Sequence, residues 1–292
     1  MLVTNDSHCS NRVWHAAYAL ADFVLRDREH HVKLYKDGAR VLEIGAGTGW
    51  LGMSLLRQIP SIGLMLLTEM ENFDCLDRLS ARAEEFRKEQ GVASTTLQVA
   101  ALDWADVCNT AGHTRQLPKR LCDVLQGDWD VILGSDLVYN DETVTLLPQI
   151  LRLLLEYNPE ADVLYAHTLH RWGAYGFDAP LLHRSCEQGL HLEPVYLTSE
   201  SSRHAADGPQ ASPEQRPVVF KVSVDATMGD TAVRETSSGV QGSAAAVTAD
   251  ALLLNAVQIQ SAADKALYES SAEERDEQDC LQLFTDILLD QT

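Results

Sequence analysis

Residues 40–52, which read RVLEIGAGTGWLG, place an acid and three closely spaced glycines at the end of a short apolar run. The run predicts a buried strand, and Gly45, Gly47 and Gly49 allow the backbone to approach a ligand that a Cβ atom would exclude. The apolar residues that follow predict a helix, whose free N–H groups and positive dipole end would face that ligand. We therefore expect a small-molecule site at this strand–turn–helix.

Glu43 distinguishes between the ligands that share such a turn. A carboxylate two residues before Gly45 would repel a phosphate, whereas it suits the positively charged amino-acid end of S-adenosylmethionine. The G-x-G-x-G spacing also differs from the G-x-G-x-x-G of dinucleotide sites. The sequence therefore favours S-adenosylmethionine over a dinucleotide as the cofactor, bound by Glu43 and the three glycines.

Two further strand ends carry side chains suited to the adenosine part of this cofactor. Glu69 and Glu71 close a predicted strand at 62–68, and a carboxylate there can accept both ribose hydroxyls. Glu69 is preferred because it follows the strand directly, with Glu71 as the alternative. Asp103 can accept the adenine amino group, and Trp104 either lines the adenine pocket or is buried in the core.

The segment 135–139, SDLVY, follows another predicted strand, at a position where ligands collect in parallel sheets. Its acid and tyrosine can present a carboxylate and a phenol to an amine acceptor. Asp136 would orient the attacking nitrogen, and Tyr139 would pack against the substrate chain. The alternative for Asp136 is the N-cap of the helix predicted from residue 143.

His167 and His170 follow the next strand at a three-residue spacing. A metal site would need acidic or cysteine ligands at a suitable spacing, and none accompanies them, so no metal is predicted. Both histidines are interpreted as structural, with the lining of the substrate pocket as the alternative.

The elements that position these residues alternate between strands and helices, which predicts an α/β fold. Residues 105–129 are predicted as a polar surface connection with room for a short helix. Trp14 either packs in the core or forms a wall of the pocket. Strands are predicted at 41–44, 62–68, 95–102, 129–134, 162–166, 191–197 and 218–224, and helices at 11–26, 50–58, 74–90, 143–156 and 180–189.

The composition excludes some classes of partner and indicates where the protein acts. The 292-residue chain has a formal charge of −20, which disfavours attraction to nucleic acid or to anionic membranes. No stretch is long and apolar enough for a membrane span, and the first residues lack the apolar core of a signal peptide. Six scattered cysteines, with no C-x-x-C pair, indicate reduced thiols. We expect a cytoplasmic protein, with the nucleus as the alternative location.

The end of the chain differs in composition from the rest. Residues 225–292 hold 13 acids and 3 bases, against 30 acids and 20 bases in residues 1–224. We expect a domain at 1–224, a linker at 225–248 and an acidic, partly disordered and partly helical tail at 249–292. The amphipathic helices of this tail pack on the domain or bind a partner.

The chain resembles the seven-β-strand protein-lysine methyltransferases. The resemblance covers roughly residues 13–224 and rests on RVWHAA (12–17), VLEIGAGTGWLG (41–52), Thr68-Glu69, LDW (102–104) and ILGSDLVY (132–139). It implies a Rossmann-like, seven-stranded sheet flanked by helices, with six parallel strands and one reversed strand near the edge. It also implies cofactor contacts from Trp14, Gly45, Ala46, Gly47, Glu69, Trp104 and Ser135, and matches Asp136 and Tyr139 to a substrate-side D-x-x-Y motif.

Three functions are therefore considered. The first is a protein N-methyltransferase that transfers the methyl group of S-adenosylmethionine to a lysine of a protein substrate. The second keeps the fold and the donor but has a small-molecule acceptor. The third is a binding module with the same fold, which acts through its C-terminal helices.

Overall fold

The computed structural model describes residues 12–71, 74–111, 119–169, 177–197 and 217–224. The strands in these ranges are β1 (Ala39–Glu43), β2 (Ile62–Glu69), β3 (Leu97–Ala101), β4 (Val131–Ser135), β5 (Asp162–Thr168), β6 (Leu190–Leu197) and β7 (Pro217–Val224). The helices are α1 (His15–Arg26), α2 (Val32–Tyr35), α3 (Trp50–Gln58), α4 (Cys75–Gln90), α5 (Trp104–Ala111), α6 (Lys119–Leu125), α7 (Asp141–Tyr157) and α8 (Asp178–Glu187).

All seven strands form one sheet in the order β3-β2-β1-β4-β5-β7-β6. Only β7 is reversed among them, since it pairs antiparallel with both β5 and β6. This arrangement confirms the predicted α/β fold with a Rossmann-like, mostly parallel sheet. Because β1, β2 and β4 run parallel, their carboxyl ends meet at one edge of the sheet, beside the glycine turn.

Helices cover both faces of the sheet and produce two layers of core. Apolar residues of α1, α3 and α4 pack on one face, and those of α5 to α8 pack on the other. Val41 lies in the first layer and Leu42 in the second, and both are fully buried. A strand covered on both faces carries consecutive apolar residues at its centre, which explains why Val41 and Leu42 are adjacent in β1 and both buried.

The structure corrects the prediction for residues 105–129. This segment contains most of α5 and all of α6, and both helices pack on the sheet. Val107, Leu121 and Leu125 are buried in the core, so the predicted surface location is wrong, whereas the short helix that the prediction allowed is present. The short helix α2 was also not predicted, because four residues are too few to show a helical period.

The cysteines differ in part from the expectation of reduced thiols. Cys75 at the start of α4 is disulfide-bonded. Cys108, Cys122 and Cys186 are not in disulfide bonds. Within the described ranges, no helix is long and apolar enough to cross a membrane. The predicted linker and acidic tail, residues 225–292, lie outside the described residues.

Candidate active site

A cavity of about 450 Å³ opens at the carboxyl ends of the parallel strands. Its lining brings together residues that are far apart in the sequence and that the sequence predicts to bind a cofactor or an acceptor. These are Trp14, Glu43, Gly45, Ala46, Gly47, Glu69, Asp103, Trp104, Ser135, Asp136 and Tyr139. Pockets of this size hold small organic ligands.

The glycine turn forms the floor of this cavity. Gly45 and Gly47 have φ angles of 57° and 54°, in the left-handed region that side chains disfavour. A Cβ atom at Gly45 would lie 2.5 Å from Leu137 Cδ2, whereas one at Gly47 would meet no atom within 4 Å. The turn is held to the sheet because Ala46 N–H donates to the Thr68 carbonyl at 2.9 Å. Gly47 therefore leaves an open cradle that a ligand can occupy.

Gly49 is separated from this predicted site. It is buried at the N-cap of α3 and is not among the residues that line the cavity. A Cβ atom there would lie 2.7 Å from Leu79 Cδ1 and 3.1 Å from Leu67 Cδ1. With a φ of 72°, Gly49 is required by helix packing and by the backbone turn rather than by contact with the cavity.

Glu43 reaches the cavity from the end of β1 and is only 2% exposed. Its Oε2 atom accepts a hydrogen bond from Gly52 N–H at 2.8 Å. Burial raises the pKa of Glu43 to about 8, the nearby charge of Glu69 raises it further, and the bond from Gly52 opposes both effects. A positively charged ligand group would favour the ionised carboxylate, so Glu43 fits the amino group of a methionine-like ligand.

Glu69 lies at the end of β2 and connects that strand to the glycine turn. Its Oε2 accepts from Gly47 N–H at 2.8 Å, and its Oε1 accepts from Met70 N–H at 3.0 Å. Burial raises the pKa of Glu69. Glu71, in contrast, is exposed beside Arg120 at 3.2 Å and does not line the cavity. Of the two acids considered for the ribose, Glu69 is the one that the fold brings to the cavity.

Asp103 and Trp104 follow β3 on the same side of the cavity. Asp103 Oδ1 accepts from Ala105 N–H at 3.0 Å and thus caps α5, a role that the sequence analysis did not assign to it. The ring of Trp104 lies close to Gly45, since its Cζ2 atom is 3.5 Å from where a Cβ atom would stand. The indole is thereby placed against the glycine turn in the cavity wall.

Asp136 and Tyr139 lie where β4 leads into α7. Asp136 is 6% exposed and has a φ of 51°. Thr168 donates its backbone N–H to Asp136 Oδ1 at 2.8 Å and its hydroxyl to Oδ2 at 2.9 Å. The N-cap of α7 is Asn140, so the alternative role of Asp136 as that cap does not apply. Asp136 and Tyr139 both line the cavity.

His167 points into the core instead. It is 1% exposed, its Nε2 lies 2.8 Å from Asp178 Oδ1, and its Nδ1 lies 3.1 Å from the Tyr165 hydroxyl. This is the structural role that the sequence analysis preferred. His170, the second histidine of the pair, lies outside the described residues. Within the part of the chain that the structure describes, no group of three potential ligand side chains could hold a metal.

Several cavity residues were not predicted. Arg78 and Arg82 lie one turn apart on α4, and both line the cavity. Their four-residue spacing puts them on one helix face, which is the signal that could have identified them. Arg12, Trp50 and Glu142 also contribute to the lining. Arg12 stacks over the Trp14 ring, 3.8 Å from its centroid.

Parts of this chain are similar in sequence to known proteins. The UPF0665 family protein C23C4.06c of Schizosaccharomyces pombe is 24% identical over 156 residues, which are 53% of this chain and 42% of that protein. The protein N-lysine methyltransferase METTL21A of Danio rerio is 32% identical over 142 residues, which are 49% of this chain and 54% of that protein. The chain therefore spans about half the length of these curated relatives.

Among solved structures, the tRNA methyltransferase TrmK of B. subtilis has a TM-score of 0.44 at 10% identity, covering 96% of both chains. The family model described as lysine methyltransferase matches residues 3–175, which is more than half of the chain. The family resemblance seen in the sequence is thereby confirmed. The chain belongs to the lysine methyltransferase family, for which S-adenosylmethionine is the implied methyl donor.

Proposed function

We propose that the protein is an S-adenosylmethionine-dependent methyltransferase that modifies lysine side chains of a protein substrate. The observation that carries this proposal is that Glu69 and the glycine turn line the same cavity as Asp136 and Tyr139. Side chains suited to a methyl donor and side chains suited to an amine acceptor therefore line the same cavity. Transfer between two bound molecules requires this proximity.

Residues of β1 and β2 are proposed to hold the donor. Glu43 would face the amino group of the methionine part, and Glu69 would accept hydrogen bonds from the ribose hydroxyls. Trp104 and Asp103 would contact the adenine, while Trp14, Ala46 and Ser135 would complete the binding surface. When bound, S-adenosylmethionine supplies an electrophilic methyl group.

Asp136 and Tyr139 are proposed to hold the acceptor. The Asp136 carboxylate would accept a hydrogen bond from the amine and direct its lone pair toward the methyl group. An acid also favours the charged ammonium form, so the lysine must lose a proton to solvent before it attacks. Tyr139 would pack against the aliphatic part of the lysine side chain.

Protein lysine is proposed as the acceptor because of the family and one relative. The matching family is described as lysine methyltransferase, and METTL21A of Danio rerio is named a protein N-lysine methyltransferase.

We also propose that residues 1–224 form the catalytic domain and that the acidic tail at 249–292 recruits a partner. A cytoplasmic location, with the nucleus as the alternative, completes the proposal.

The direct test uses methyl-labelled S-adenosylmethionine and a heat-treated cell lysate as the source of acceptors. Wild-type protein should label a protein band, and digestion of that band should release methylated lysine. The Asp136→Ala variant should not label it. Label found only in small metabolites would instead support a small-molecule acceptor. Failure of the folded protein to bind the donor would leave only the binding-module interpretation.

A further inference from the structure

Thr168, the last residue of β5, contacts Asp136 through two separate donors. Its backbone N–H donates to Oδ1 at 2.8 Å, and its hydroxyl donates to Oδ2 at 2.9 Å. Thr168 is 4% exposed and is not among the residues that line the cavity. Both oxygens of a cavity carboxylate are thus held by one residue that does not itself reach the cavity.

The backbone of Asp136 does not by itself determine the direction of its side chain. Asp136 follows β4 directly and has left the extended conformation, with a φ of 51°. Its N–H donates to the Ala166 carbonyl at 2.9 Å, which continues the β4–β5 pairing by one step. The carboxylate is then rotated onto Thr168, so the end of β5 holds Asp136 by both its backbone and its side chain.

The end of β5 is itself held in place from the opposite face of the sheet. His167 precedes Thr168 and is joined to Asp178 of α8 and to Tyr165 by buried contacts of 2.8 and 3.1 Å. Successive side chains of a strand point to opposite faces, so His167 is anchored in the core while Thr168 turns toward Asp136. The hydroxyl of Thr168 therefore acts from a fixed position.

We propose that Thr168 is a positioning residue for methyl transfer, which orients the Asp136 carboxylate toward the acceptor amine. This inference rests on the proposed function, because it assumes that Asp136 holds the acceptor. The hydrogen bond from the hydroxyl is charge-assisted and therefore both stronger and more directional than a neutral one. Without it, the carboxylate loses one of its two hydrogen bonds from Thr168 and can rotate away from the acceptor.

The test compares Thr168→Val, Thr168→Ala and Thr168→Ser. Valine keeps the branched shape without the hydroxyl, alanine removes both, and serine keeps the hydroxyl alone. Thr145→Val is the matched control, because the Thr145 hydroxyl on α7 donates only to the backbone carbonyl of Asp141. Each variant is assayed with labelled S-adenosylmethionine over a range of concentrations at a fixed amount of heat-treated lysate, and its melting temperature is recorded.

We expect Thr168→Val and Thr168→Ala to lower the apparent maximal rate roughly ten- to a hundredfold, as for loss of a hydrogen bond to a charged group. The apparent KM for S-adenosylmethionine should stay at the wild-type value, and Thr168→Ser should restore most of the rate. A purely structural threonine would instead lower the melting temperature and leave the rate of the folded protein unchanged.

Two results would overturn the positioning role while the proposed function stands. Either an active wild type is matched by both hydroxyl-free variants, or Thr168→Ser loses as much rate as Thr168→Val. Failure of the proposed function would look different, because the wild type itself would label no protein. Thr145→Val should behave like the wild type in every case.

Discussion

The carboxylate of Glu43 accepts a hydrogen bond from Gly52 N–H at 2.8 Å while only 2% of the residue is exposed. This contact joins the end of β1 to the first turn of α3, directly beneath the glycine turn. A Cβ atom at position 52 would lie 2.6 Å from Glu43 Oε2, so the helix can approach the acid only because this residue is glycine. The buried acid is thus built into the cavity wall.

Glu43 should make stability fall as the pH rises. Its pKa is about 8 in the folded protein, above the ordinary value of 4.5, so folding takes up a proton between these values. The free energy of unfolding should therefore decrease from pH 4.5 toward pH 8 and then level off, by at most about 1.4 kcal/mol per pH unit. Denaturation of wild type and Glu43→Gln at several pH values measures the difference. Parallel curves for the two proteins would contradict a buried, protonated Glu43.

Gly47→Ala should weaken donor binding, whereas Gly91→Ala should lower only the stability of the fold. Gly47 and Gly91 both have positive φ angles, of 54° and 65°, and a Cβ atom at either would meet no neighbour within 4 Å. Alanine should therefore cost each site a similar backbone strain of about 1–2 kcal/mol. Only the Gly47 methyl group would enter the cavity, because Gly91 caps α4 away from it. Calorimetry with S-adenosylmethionine should show weaker binding for Gly47→Ala and unchanged binding for Gly91→Ala.

Asp136→Ala should lower turnover far more than donor affinity, because its carboxylate is proposed to act on the acceptor. We expect a rate loss of roughly a hundredfold or more, since an orienting contact to the reacting nitrogen is removed. Asp141→Ala is the control, an exposed acid in the first turn of α7. Single-turnover rates and donor binding by calorimetry separate the two effects. Equal losses in turnover and in donor affinity would show that Asp136 does not act on the acceptor.

His167→Ala should lower the free energy of unfolding without changing donor binding. The substitution removes a buried ring that contacts both Asp178 and Tyr165, which we expect to cost about 2–4 kcal/mol of unfolding free energy. Donor affinity of the folded protein should not change, because His167 does not line the cavity. His191→Ala, at an exposed position on β6, should stay within about 0.5 kcal/mol of the wild type. Loss of donor binding in a folded His167→Ala protein would show that the two sites are coupled.

Local sequence patterns predicted the sheet because its central strands contain short apolar runs that end at a turn signal. Ile62–Glu69 was predicted to within one residue for this reason. The buried helices α5 and α6 were not recognised because they are short and polar residues interrupt their apolar positions, although Val107 and Leu125 are fully buried. Burial there depends on the neighbouring α7, which a local pattern does not contain.

The candidate site was predictable where residues follow strand ends, since parallel strands bring those ends together. This applies to Glu43, Glu69 and Asp136, which all reach one cavity. Gly49 was placed with the ligand because a glycine required by packing and one that leaves space for a ligand look identical in sequence. The hydrogen bond between Thr168 and Asp136 joins residues 32 positions apart in the sequence. It could not be predicted from the sequence, because the pairing of β4 with β5 brings the two residues together.

The most direct test of the account is calorimetric titration of S-adenosylmethionine into the wild type, Glu69→Gln and Glu71→Gln. The account predicts binding to the wild type, about tenfold or more weaker binding to Glu69→Gln, and wild-type binding to Glu71→Gln, whose side chain is exposed beside Arg120. No binding heat from the folded wild type, or equal affinities for wild type and Glu69→Gln, would contradict it.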